Sequence, residues 1–205
     1  MNGSRMGFMR GLMFPGGQQP VIAGDGVYLR YPRVSDYPAW TRLRGESRTF
    51  LAPWEPVWAL DELSKGAFRR RLKRYQREAR EDSAYAFFVF HAGDHELLGG
   101  CTLSNVRRGV TQCCSLGYWV GERFARQGFM SSAVRALVPF IFQTLGLHRI
   151  EAACLPSNEA SRNLLAKAGF GEEGLARRYL QINGEWQDHL LFALLADDAR
   201  HALAI

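Results

Sequence analysis

The sequence has no apolar run near the roughly 20 residues that span a bilayer, so it does not read as a membrane-crossing chain. It also lacks G-x-x-x-x-G-K-[ST], G-x-S-x-G and H-E-x-x-H. Those absences remove the nucleotide-hydrolase phosphate loop, the serine-hydrolase elbow and the zinc-protease helix as starting points. The triplet Gly24-Asp25-Gly26 precedes a strand-like run instead of following one, and no third glycine completes a dinucleotide fingerprint. Cysteine is scarce, with Cys101, Cys113, Cys114 and Cys154 the only four in 205 residues. None has metal-ligand spacing, and an adjacent pair does not easily close an ordinary disulfide. No metal is expected. Three of the four lie in apolar strand-like runs, which reads as buried thiol in a reducing, cytoplasmic compartment.

What is present is an ordinary globular composition, 47% apolar and 22% charged, at a length that suits one sizeable domain. The opening stretch, MNGSRMGFMRGLMFPGGQQP, is basic and interrupted by glycines, without a signal-peptide core. It reads as a flexible tail over residues 1–20, ahead of a single domain over residues 21–200. A net charge of +6 favours anionic partners such as a nucleotide cofactor or RNA, and bears on nothing in the fold. The densest basic stretch predicts a helix from about Leu63 to Arg80. Phe68, Leu72, Tyr75 and Ala79 form its apolar stripe and arginines its outer face. That face is either simply solvated or turned toward RNA.

The periodicities predict the order β-α-α-β-β-β-α-β-α-β-β. DGVYLRYP is a strand, and VSDYPAWTRL opens a helix capped by Ser35 or Asp36. FLAPWEPVW, with two prolines, is an ordered loop. AYAFFVF, ELLGGCTLS and QCCSLGYWV are strands. The helix after Gly128 should kink at Pro139. HRIEAACL is a strand, and NEASRNLLAKAG is a helix capped by Ser157 or Asn158 and stopped by Gly169. The helical crossover makes GYWV and HRIEAACL parallel neighbours. The remaining strands read as antiparallel. The fold class is therefore α/β of the α+β kind: a mixed, mostly antiparallel sheet with helices on both faces.

Three local geometries bear on chemistry. In ARQGFMSSA, a strand turns into a helix through Arg126, Gln127 and Gly128. The unpaired N–H groups there and the positive end of the helix dipole offer an anion site, at the end of a βαβ strand where α/β sheets bind ligands. In the helix after Asn158, Ser161 shares a stripe with Leu164, Leu165 and Ala168. It is a hydroxyl on a buried face, either bonded to local backbone or aimed at a ligand. Asn183-Gly184 is a hairpin turn that pairs Gln181 with Trp186, Leu180 with Gln187 and Tyr179 with Asp188. The last pair is either a surface ladder or a wall that recognises an amine.

GYWVGERFARQGFMSSAVRAL followed by HRIEAACLPSNEASRNLLAKAGFGEEG resembles the GNAT acetyltransferase superfamily. FLAPWEPV, SNVRRG and YLQINGEWQDH narrow the resemblance to the ribosomal-protein-alanine N-acetyltransferase group, over about residues 25–196. The resemblance implies a splayed central pair of parallel strands and acetyl-coenzyme A as co-substrate. It places the pyrophosphate on Arg126, Gln127, Gly128, Phe129, Met130 and Ser131. The family pattern there is Arg/Gln-x-x-Gly-x-Gly/Ala, and this chain keeps only the central glycine, with Ala125 and Met130 at the outer positions.

The resemblance also implies that main-chain groups of Trp119 and Val120 hold the pantetheine arm, with Asn158 on the other side. Ser161 donates to the departing thiolate, with Tyr179 the candidate for the role a C-terminal tyrosine takes in some relatives. Direct attack by an N-terminal α-amino group is implied, with alanine as the acceptor's first residue. Relatives carry a base glutamate where this chain has Ala153, so Glu151 is the substitute, ahead of Asp188. Trp54, Glu55 and Asp188 are the expected substrate contacts. The expected partners are a ribosomal protein N-terminus and, through the basic helix, the ribosome or its RNA. A small-amine acetyltransferase and a non-catalytic RNA-binding factor are the rival readings.

Overall fold

A computed structural model describes residues 21–203. The tail expected over residues 1–20 lies outside the described residues. A hairpin, β1 (Val21–Gly24) and β2 (Val27–Arg30), opens the described chain. Three helices follow: α1 (Tyr37–Glu46), the single turn α2 (Arg48–Leu51) and α3 (Lys65–Arg80). Strands β3 (Tyr85–His91), β4 (Leu97–Arg107) and β5 (Cys113–Val120) form a meander. Helix α4 (Phe129–Pro139) crosses to β6 (Arg149–Cys154), and α5 (Glu159–Lys167) leads to the long hairpin β7 (Gly171–Ile182) and β8 (Glu185–Leu195). Helix α6 (Ala196–Leu203) ends the described chain.

The strands form one eight-stranded sheet in the order β1-β2-β3-β4-β5-β6-β8-β7. Among the described residues its only parallel neighbours are β5 and β6; every other pair is antiparallel. The mixed sheet expected from the sequence is thus observed. Strand β1, the single turn α2, which takes in Phe50 and Leu51 of the expected loop, and α6 were not expected. Asp25-Gly26 is itself a hairpin turn signal, but Val21–Gly24 is too short to show alternation beside a glycine-rich segment.

Strand β3 shows why helices cover both faces. Its first six residues, Tyr85 to Phe90, are all buried, the signature of a two-sided strand. Tyr85, Phe87 and Val89 join the core under α4 and α5 with Val134, Leu137, Ile141 and Leu165. Phe88 and Phe90 face the other way, onto Trp40, Leu43, Phe68 and Leu72 of α1 and α3. The stripe expected on the basic helix is the one used: Phe68 and Leu72 are buried, and Ser64 caps the helix by accepting from the Ala67 amide at 3.1 Å. Asp36 stands at the N-cap of helix α1, and its carboxylate accepts from the Arg30 guanidinium at 2.7 and 2.8 Å, tying the helix to β2. Pro139 closes α4 rather than kinking its middle, and one wide π turn, Phe140–Thr144, follows it.

Strand β4 contributes a close approach. Gly99 and Gly100 stand opposite Val120 and Trp119 of β5. A Cβ at Gly99 would lie 2.2 Å from the Trp119 carbonyl oxygen, and one at Gly100 would lie 2.7 Å from the indole Nε1. The main-chain clash cannot be relieved by a rotamer change. Gly99→Ala is therefore expected to destabilise the fold by about 2–3 kcal/mol through forced backbone movement. Urea unfolding of the variant checks this, and an unchanged midpoint would mean that the strands shift freely.

Candidate active site at the splayed strands

The β5–β6 ladder is short. Cys113 pairs with Arg149, Cys114 with Ile150 and Ser115 with Glu151, and there the pairing stops. Strand β5 continues to Val120 and β6 to Cys154, while β6 stays paired with β8 through Cys154. From Leu116 to Val120, the edge of β5 that faces β6 has no strand partner among the described residues, so its N–H and C=O groups are open to a ligand. The expected parting is observed, and it begins directly after Ser115, earlier than Val120 and Ala153. Trp119 and Val120 lie on this open stretch.

The open edge of β5 leads into the turn before α4. Gly128 is the N-cap at φ +86° with no side-chain cap, and Arg126 also has positive φ at +62°. A Cβ added at Gly128 would meet no atom within 4 Å, so the turn selects glycine for its backbone shape and leaves space above it. The first amides of α4 are consequently uncapped by any side chain among the described residues. The surrounding side chains divide by role. Met130 is buried and its sulfur contacts Cys101 at 3.5 Å, so it serves the core. The Phe129 ring packs edge-on to His91 and Phe124. Gln127 Nε2 donates to the Arg123 carbonyl at 2.7 Å and closes the turn. Arg126 is exposed and makes no bond among the described residues, and Ser131 is half-buried in the first turn. Main-chain amides, a small hydroxyl and the Arg126 cation fit a pyrophosphate.

Across the gap, Asn158 caps α5: its Oδ1 accepts from the Ser161 amide at 3.0 Å, leaving its NH₂ free of that task. The Ser161 hydroxyl lies 2.7 Å from the Tyr118 hydroxyl. Burial pushes the Tyr118 phenol well above its ordinary pKa. Burial likewise raises the Cys154 thiol, with Ser161 a lesser, opposing influence. Sequence reasoning missed Tyr118. Strand alternation places it on the α5 face with Leu116 and Val120, but only tertiary structure brings the two hydroxyls together.

The last hairpin keeps the expected register from Ile182–Glu185 to Leu180–Gln187 and then loses it. Arg177, Arg178 and Tyr179 lie between that pair and Ala176–His189, opposite Asp188 alone. Arg178 takes φ +47°, and Asp188 Oδ1 accepts from its amide at 2.8 Å. The expected Tyr179–Asp188 pair is therefore corrected: a bulge absorbs it, and the carboxylate stabilises the bulge. Tyr179 is half exposed and sits edge-on to the buried His189 ring at 5.9 Å.

Two carboxylates expected to serve chemistry are engaged. Glu151 lies on the paired part of β6, where Arg107 bonds one oxygen at 2.9 Å and Arg149 the other at 3.1 Å. Glu55 is gripped by both Arg44 terminal nitrogens at 2.6 and 2.7 Å, with Trp58 Nε1 adding a third bond at 2.8 Å. Arg44 is 5% exposed. Its guanidinium lies 4.3 Å from the Trp58 ring and 4.9 Å from Trp119. The Asn183 amide donates to the Glu55 carbonyl at 2.9 Å, so the Pro-Trp-Glu-Pro loop and the hairpin tip are joined. Trp54 and Val57 on the loop, and Trp186 on the hairpin, are exposed apolar side chains. Among the described residues no cluster of side chains suits a metal ion.

The model of the Acetyltransferase (GNAT) domain matches residues 27–171. The probable N-acetyltransferase YjcK of Bacillus subtilis is 36% identical over 87% of this chain and 98% of its own. The [ribosomal protein uS5]-alanine N-acetyltransferase of Escherichia coli is 37% identical over 81% of this chain and 82% of its own. The structure of Mycobacterium smegmatis RimJ in complex with CoA-disulfide superposes with a TM-score of 0.80 at 34% identity, covering 91% of this chain and 92% of that one. With an unzipped parallel pair ending at an uncapped helix turn, and with these relatives, the chain belongs to the GNAT acetyltransferases and is an acyltransferase dependent on acetyl-coenzyme A.

Proposed function

We propose that the protein acetylates the N-terminal α-amino group of a ribosomal protein whose first residue is alanine. The observation that carries this reading is the gap between β5 and β6, closed at one end by Ser115–Glu151 and flanked near the other by Ser161. The similarity to an enzyme acting on the alanine of uS5 supports the acceptor class.

In this reading the pantetheine arm lies along Trp119 and Val120, the Asn158 amide holds it from across the gap, and residues 126–131 receive the pyrophosphate. The acceptor enters beside Trp54, Trp186 and Tyr179. A peptide α-amine has a pKa of about 7.7–8.0, so a sizeable neutral fraction exists at neutral pH. That amine attacks the thioester carbonyl directly, and the carbon–sulfur bond breaks with its electron pair on sulfur. Ser161 donates a hydrogen bond to that sulfur. The amine's surplus proton leaves through water. Glu151 has both oxygens on arginines and holds strands together; Asp188 keeps Oδ2 unbonded among the described residues and is the better acceptor. Glu55 shapes the substrate loop through Arg44.

These pairings weigh against a polyamine or aminoglycoside acceptor, which needs several free carboxylates. On α3, Arg70, Arg71 and Arg74 pair with Asp61, Glu62 and Glu78, while Arg69, Lys73 and Arg77 stay exposed and unpaired among the described residues. That remaining cationic face is the surface we assign to ribosomal RNA.

The test mixes the protein with acetyl-coenzyme A and peptides that differ in first residue, one offering only a lysine amine. Mass spectrometry should find the acetyl group on the alanine terminus; preference for lysine or a free polyamine overturns the reading. Ser161→Ala should lower kcat on the order of 100-fold while the KM for acetyl-coenzyme A changes little. An unaffected kcat would reduce Ser161 to a helix-terminal hydroxyl.

A further inference from the structure

We propose that Tyr118 is a positioning residue that fixes the Ser161 hydroxyl toward the sulfur of the departing coenzyme. The inference rests on the reading of Ser161 given above. Two anchors hold Ser161: Asn158 Oδ1 takes its amide at 3.0 Å, and the Tyr118 hydroxyl lies 2.7 Å from its Oγ. A serine hydroxyl has one proton and two lone pairs, and besides Tyr118 the Cys154 thiol is the side-chain group beside it. Tyr118 sits on β5 just beyond the point where the strands part, packed against the core under α4 and α5. Its half-buried ring packs against the core, and its phenol stays protonated, so it keeps a proton to donate.

When Tyr118 donates to Ser161 Oγ, the serine proton must point away from the ring. It is then free to meet negative charge developing on sulfur, and the tyrosine dipole strengthens it as a donor. No proton leaves either residue. The carbon–sulfur pair ends on sulfur as thiolate, and the acylated nitrogen gives its proton to water. Tyr118 therefore acts wholly through Ser161.

The experiment is a double-mutant cycle with two readouts. The first is kcat and KM with an alanine-terminated peptide. The second needs no acceptor: the ionisation of the thiol of bound coenzyme A, followed by thiolate absorbance against pH. Tyr118→Phe should lower kcat about three- to tenfold, with KM for acetyl-coenzyme A nearly unchanged. It should raise the bound thiol's pKa by about half to one unit. Ser161→Ala should produce the larger change in both, and adding Tyr118→Phe to it should produce no more. Equal effects of Tyr118→Phe in both backgrounds would overturn the inference while leaving Ser161 its role. So would a silent Tyr118→Phe beside a damaging Ser161→Ala. A silent Ser161→Ala would remove both.

Discussion

Replacing Gly128 with aspartate is expected to weaken coenzyme A binding on the order of 100-fold or more, with little loss of fold stability. The two halves of that expectation have separate causes. Gly128 has φ +86°, and a Cβ there meets no atom of the protein within 4 Å. Aspartate is among the residues that tolerate the left-handed region, so the folded chain accepts it at modest strain. Its carboxylate, however, would cap the very amides that we assign to the pyrophosphate, and would place like charge against an incoming dianion. Gly128→Ala separates the two contributions, since it adds the Cβ without the charge and should bind far better than the aspartate variant. Calorimetric titration with coenzyme A checks both. Equal affinities for wild type and Gly128→Asp would take the diphosphate off this turn.

The second large effect is structural. Arg44→Ala should destabilise the protein by about 3–5 kcal/mol, because it leaves Glu55 with an uncompensated, mostly buried charge. The Glu55 side chain is 19% exposed and that of Arg44 6%. For a domain of this size the melting temperature should fall by roughly 10 °C. Arg44→Ala removes three things together: both bonds to Glu55, the cation between Trp58 and Trp119, and with them the support of the loop that carries Trp54. Arg44→Met with Glu55→Gln, which removes both charges, should recover part of the loss. Thermal unfolding of the variants decides the matter; a fall below about 2 °C for Arg44→Ala would mean that water reaches the pair.

Arg44 also shows where sequence reading ends. An arginine in a polar helix segment reads as a solvated cation, because no local pattern distinguishes one buried against two indoles from one in water. Its partner Glu55 was expected as a substrate contact, and nothing local showed that an arginine of the same chain would engage it. The same division holds along the sheet. The helical crossover by itself requires β5 and β6 to run parallel, and the alternation along β6 puts Glu151 and Ala153 on one face; both are observed. What alternation does not contain is which residues of two parallel strands stay bonded. Ser115 and Glu151 end the ladder. That end sets Glu151 between Arg107 and Arg149.

The last hairpin failed for a related reason. Asn183-Gly184 correctly fixed the pairs nearest the turn, and nothing in Arg177, Arg178 or Tyr179 marks a bulge. A period-two count carries its register forward indefinitely, so one bulge displaces every residue beyond it. The helix caps were the most legible features. Asn158 before an apolar stripe and Gly128 before another are local backbone requirements, and both stand at helix N-termini.

A crystal structure of the protein with acetyl-coenzyme A tests the account most directly. The pantetheine arm should lie between Leu116–Val120 of β5 and the end of β6, its diphosphate on the amides of residues 129–131. Coenzyme bound elsewhere on the surface, with β5 and β6 drawn together beyond Ser115, would contradict it.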